Sequence, residues 1–135
     1  MTIESTTVID EITYTTKTLS ASAGLVILPK LLALCGESVL KIFFAAGDEE
    51  TRAALLAEPR VVAQILHGMA TNAAETDGLL VVQDLFINTT ADKVRIGETE
   101  VEGSIATHFD THFAGRYAHL AAVAMWVAQT NFIAP

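Results

Sequence analysis

At 135 residues the chain has the size of one domain, 1–135, long enough to bury a core without disulfide or metal staples. Hydrophobic residues make up 51% and aromatics only 7%, so Ala, Leu, Val and Ile carry the apolar content, a mix suited to closely packed helices. The net charge of −8 arises from 16 acids against eight bases. Those bases (Lys17, Lys30, Lys41, Arg52, Arg60, Lys93, Arg95 and Arg116) are scattered, which argues against a phosphate-tracking nucleic-acid surface and against anionic membranes.

A single cysteine, Cys35, excludes an intramolecular disulfide and multi-cysteine metal sites, and its apolar run Leu31–Cys35 reads as a buried, inert thiol. The amino terminus lacks the basic and apolar regions of a secretory signal, so a cytoplasmic setting is expected. Two apolar windows, Gly24 to Ala46 and Tyr117 to Ile133, are candidates for membrane spans. Pro29, Lys30, Glu37 and Lys41 interrupt the first, and His119, Gln129, Thr130 and Asn131 the shorter second, so both read as buried helices.

Residues 6 to 18 are rich in β-branched types around Asp10-Glu11 and predict a small hairpin or one bent strand. Ser20 or Ser22 caps a helix with Leu25, Leu28, Leu32 and Cys35 at helical spacing, beginning near Pro29 or kinked there, with Gly36 as a break. A second helical segment holds Val39, Leu40, Phe43 and Phe44 and ends near Gly47. Asp48 then caps a short helix through Leu56.

Pro59 starts a further helix placing Val62, Ile65, Leu66 and Met69 on one side, loosened at Thr71-Asn72. Thr76 or Asp77 caps the segment Leu79 to Ile87, read as a buried helix although its continuous apolar character also permits a strand. From Asn88 to Gly103 polar and apolar residues alternate around Gly97, predicting a short hairpin or a polar loop. Ser104 begins the last helix, with Ile105, Phe109, Phe113, Tyr117, Leu120, Ala124 and Val127 as its stripe and Gly115 as a break. The expected fold is therefore mainly α: a small helical domain with an N-terminal β-strand or hairpin and a second short hairpin before the C-terminal helix.

Catalytic signatures are weak. His108 and His112 stand four apart and could share a metal in a small metal-dependent enzyme. Neither a third ligand nor an HExxH pattern accompanies them, and they read as surface or cap residues. His67 and His119 are isolated, each read as a surface or partly satisfied residue. No serine sits in a nucleophile-elbow turn and no glycine-rich phosphate loop is present, so neither catalytic nor cofactor-binding residues are assigned. Phe43, Phe44, Trp126 and Phe132, large apolar groups near element ends, are the candidate partner-binding residues; the alternative is that they fill the core.

The stretch His112-Phe113-Ala114-Gly115-Arg116, followed by Leu120, Trp126 and the Asn131-Phe132 end, resembles the tail assembly chaperones of long-tailed bacteriophages and prophages. The opening Val8-Ile9-Asp10 through Tyr14, with Ser20-Ala21 and Pro29-Lys30-Leu31-Leu32, is similar to the family's beginning. The resemblance implies a non-enzymatic protein of the host bacterial cytoplasm. Such a protein would bind the tape measure protein, keep it soluble and promote tail tube polymerisation around it. It would use no cofactor and would be absent from the mature virion. A structural tail or connector protein retained in the virion is the competing reading. The high apolar content also admits a homo-oligomer.

Overall fold

The computed structural model describes residues 3–36, 50, 51, 54 and 57–132. Phe43, Phe44, the second helical segment and most of the helix expected after Asp48 lie outside them.

Two strands open the chain, β1 (Glu4–Ile9) and β2 (Ile12–Lys17), paired antiparallel with Ile9 opposite Ile12. Asp10 and Glu11 between them both take positive φ, 49° and 70°, as a two-residue hairpin turn requires, so the expected acidic turn is present and the bent-strand alternative is not. The second hairpin, β3 (Thr89–Ile96) and β4 (Thr99–Ser104), turns at Gly97, whose φ is 62°. Its ladder shifts register between Ala91 and Val94.

The hairpins do not stay apart. Tyr14 pairs with Ala91, Thr15 with Thr90 and Thr16 with Thr89, which joins all four strands in the order β1-β2-β3-β4. A buried hydrogen bond of 2.8 Å between the hydroxyls of Thr16 and Thr89 locks this seam. The fold is thus α+β, with one four-stranded antiparallel sheet, and the mainly α expectation is overturned. Each hairpin has a local signature, but their junction links residues far apart in sequence and leaves no pattern in either segment.

The helices cover the inner face of the sheet. α1 (Ala21–Cys35) starts at Ser20, whose hydroxyl accepts from the Ala23 N–H, and ends at Gly36 with φ 88°. Pro29 lies in its interior rather than at its start, so the Leu25 carbonyl loses its usual donor beside a side chain that is itself exposed to water. The buried positions are Ile27, Leu31 and Leu34, not the expected stripe, whose Leu25 is exposed. Apolar residues surround this helix, so spacing alone selects no face.

α2 (Pro59–Thr76) continues through Thr71-Asn72, where Asn72 Nδ2 donates to the Leu34 carbonyl and ties the two helices together. Asp77, at φ 51°, ends α2 and starts α3 (Gly78–Leu85), which confirms a helix over most of the ambiguous apolar run. Gly78 is required there. A Cβ would stand 2.7 Å from Leu34 Cδ1 and 3.1 Å from Ala73 Cα.

Ser104 ends β4 instead of opening the last helix, and a short α4 (Phe109–Phe113) precedes α5 (Tyr117–Phe132). Gly115, with φ 71°, makes the expected break. α5 is the central element, with Leu120, Ala121, Val123, Ala124, Met125, Val127 and Ala128 buried. Small residues dominate that list and allow close approach of neighbouring backbones. Among the described residues no helix is long and apolar enough to cross a membrane.

Candidate partner-binding groove

α3 is too apolar to hide. Its run Leu79-Leu80-Val81-Val82 turns by about 100° per residue, so no single buried face can take all four side chains. Val81 and Val82 enter the core, while Leu79 and Leu80 remain 57% and 58% exposed. Leu79 and Val82 form one wall of an open groove of about 480 Å³. Leu34 from α1, Leu66, Met69, Ala70 and Ala73 from α2, and Phe109, Tyr117 and Leu120 complete it. Tyr117 was expected in the buried stripe, but the helix break at Gly115 turns it out, 63% exposed. Exposed Asp77 and Asp110 are the sequence neighbours of the lining residues Gly78 and Phe109.

A second concavity of about 440 Å³ lies between the β1 end of the first hairpin and α5, with Trp126 and Gln129 in its lining. Trp126 is half-buried, its ring 6.5 Å from that of Tyr14. Phe132 is also half-buried, against the core near Gly24. Neither residue lines the apolar groove.

A polar chain runs beneath the first hairpin. The exposed Asp10 carboxylate lies 2.8 Å from His119 Nδ1, and the buried Tyr14 hydroxyl lies 2.5 Å from His119 Nε2 and 2.6 Å from His112 Nε2. The directions follow from what each group can do. A carboxylate only accepts, so His119 donates from Nδ1 and, when neutral, accepts at Nε2 from the Tyr14 O–H. The tyrosine oxygen then accepts from His112 Nε2–H.

Burial holds both imidazoles neutral by lowering their pKa values. His112 falls to about 4, with the Arg116 guanidinium, His119 and His108 acting in the same direction. For His119 the bond to Asp10 opposes burial. Burial also raises the Tyr14 pKa, keeping the phenol protonated.

The surface or cap reading of His112, and the surface reading of His119, are therefore corrected. Both are buried and tie α4 and α5 to the N-terminal hairpin. His112 Nε2 faces Tyr14, whereas His108 is only half-buried. Among the described residues no group of three or more His, Cys, Asp or Glu side chains is placed to hold a metal.

The motif residues of the C-terminal third also acquire physical roles. Arg116 Nη1 donates to the His112 carbonyl at 2.9 Å, across the turn made by Gly115. Asn131 Oδ1 accepts from Leu19 N–H at 2.7 Å, while its Nδ2 donates to the Val127 carbonyl, anchoring the β2–α1 connection to the end of α5.

A family model described as phage tail assembly chaperone protein, TAC, matches residues 10–134. The chain belongs to the phage tail assembly chaperone family. The matched span takes in the β1–β2 turn, the polar chain, every groove residue and the Asn131 anchor. No curated protein and no solved structure shows a significant match to the chain.

Sequence reasoning singled out large aromatics and missed the groove, which is built mainly from aliphatic residues and spans five helices. A helical run of four consecutive apolar residues was the available signal, since such a run must expose part of itself. The Tyr14–histidine chain had no local signal, because its members are 98 and 105 residues apart.

Proposed function

We propose that this tail assembly chaperone acts without catalysis, by seating an amphipathic helical segment of the tape measure protein in the groove between α1, α2, α3, α4 and α5. The observation that carries the reading is the open groove itself, walled by apolar side chains with Leu79 and Tyr117 exposed at its mouth. Each Leu- or Met-sized side chain seated there contributes about 1.5–3 kcal/mol of apolar burial. Asp77 and Asp110 favour a segment with Lys or Arg flanking its apolar face. The net charge of −8 keeps the resulting complex in solution while the tape measure awaits polymerisation of tail tube protein around it. On this reading the protein works in the host bacterial cytoplasm and leaves before the virion is complete.

Co-expression with a tape measure protein tests this. The partner becomes soluble and co-purifies with the wild type, and Leu79→Asp abolishes both effects while the variant keeps its circular dichroism and melting temperature. A partner that stays insoluble with folded wild-type protein refutes the groove function. Appearance of the protein at fixed copy number in mass spectrometry of purified virions would establish the structural role instead.

A further inference from the structure

β1 is an edge of the sheet, and its register decides which backbone groups are free. The hairpin closes at Ile9 opposite Ile12, so Ile9, Thr7 and Ser5 exchange hydrogen bonds with Ile12, Tyr14 and Thr16. The N–H and C=O groups of Glu4, Thr6 and Val8 therefore point away from β2, and among the described residues no strand pairs with them. Sheet edges are ordinarily blunted by lysine, proline, a bulge or inward charge. β1 has none of these, and Glu4 is its one charge. The opposite edge, β4, carries Glu100, Glu102 and Gly103 and pairs with the irregular strand β3.

The concavity beside β1 is lined by Thr7, Ile9, Trp126 and Gln129 among others. Gln129 Nε2 is buried and has no hydrogen-bond partner among the described residues. Ile3, 43% exposed, belongs by alternation to the same face as Ser5, Thr7 and Ile9.

We infer that β1 pairs antiparallel with β1 of a second copy of this chain, Thr6 opposite Thr6, fusing the two sheets into one. An isologous ladder must match outward-pointing residues with one another. With Thr6 on the two-fold axis, Glu4 faces Val8 and all three outward residues take part, whereas a shift by two residues removes one of them. That register keeps the two Glu4 carboxylates apart. It also sets Ile3 of each copy opposite Ile9 of the other, on the face where the concavity with Trp126 receives an apolar side chain. The chain thus supplies both the cavity and the side chain that fills it, which is the ground for choosing a second copy over an unrelated strand. The pairing is independent of what the helical groove binds.

Light scattering on the purified full chain should give twice the 14.4 kDa chain mass. Thr6→Pro removes an N–H that β2 does not use, and should give a monomer with unchanged circular dichroism. Ile3→Asp should weaken the dimer at least about ten-fold by placing a charge opposite Ile9 of the second copy. In a Cys35→Ser background, Thr6→Cys should oxidise to a covalent dimer and Thr13→Cys should not, since directly paired Cα atoms about 5.5 Å apart suit a disulfide. A wild-type monomer overturns the proposal, as does a dimer indifferent to Thr6→Pro. If Thr6→Pro fails to fold, absence of the Thr6→Cys cross-link overturns it on its own.

Discussion

Tyr14→Phe removes one oxygen atom and, by the directions of the polar chain, two hydrogen bonds. The six-membered aromatic ring stays, so packing against Trp126 and the two imidazoles is retained, and the loss is confined to polar terms. His119 cannot compensate: its Nδ1–H is committed to the Asp10 carboxylate, so Nε2 is left as a buried acceptor with no donor. His112 loses the acceptor for its Nε2–H and recovers part of the cost by moving the proton to Nδ1. Two lost bonds, with one or two buried groups left unsatisfied, amount to about 2–4 kcal/mol. For a domain of this size that corresponds to a fall in Tm of roughly 6–15 °C. Urea unfolding at neutral pH, followed by circular dichroism, reads the change directly. A loss below about 0.5 kcal/mol, under the net value of even one such bond, would refute the assigned chain of donors and acceptors.

Acid should act on the same cluster. The His112 pKa is about 4 in the folded protein against 6.5 ordinarily, so between those values the unfolded chain binds more protons. Stability is therefore full above about pH 6.5 and falls as pH drops toward 4, by up to about 3 kcal/mol from His112, with His119 adding in the same direction. Urea midpoints measured across that range, compared with those of His112→Asn, isolate the histidine contribution, which vanishes in the variant. Gly78→Ala should cost about 1–3 kcal/mol, because its Cβ meets Leu34 and the Ala73 backbone, as thermal melts will show. Gly24→Ala should instead be neutral or stabilising by up to about 1 kcal/mol, since its Cβ makes an ordinary 3.5 Å contact with Phe132 inside α1.

Local chemistry by itself determined much of this protein. Ser20 marks the start of α1, Gly36 its end, Pro59 the start of α2 and Gly115 the break before α5, because caps and breakers act on their own backbone. The same holds for the two hairpins, whose turn residues Asp10, Glu11 and Gly97 adopt positive φ within a few residues of the strands they join. The family resemblance, carried by His112 to Arg116, Leu120, Trp126, Asn131-Phe132 and the opening residues, was likewise legible as short motifs, and Arg116 and Asn131 among them bond to nearby backbone groups.

Tertiary structure decided the rest. Whether two hairpins stand alone or share a sheet depends on the meeting of Thr16 with Thr89, 73 residues away, and no periodicity encodes that meeting. α1 could bury Leu25 and Leu28 or Ile27 and Leu31, and only its neighbours select the second face. His112 and His119 become buried hydrogen-bonding groups because Tyr14 is carried to them by a strand more than ninety residues earlier. The groove arises in the same way: Leu79 and Tyr117 are ordinary helical residues until the packing of five helices leaves the space between them unfilled. Apolar burial has no direction of its own, so the sequence specifies how much surface must be hidden and the packed fold determines which part is left exposed to a partner.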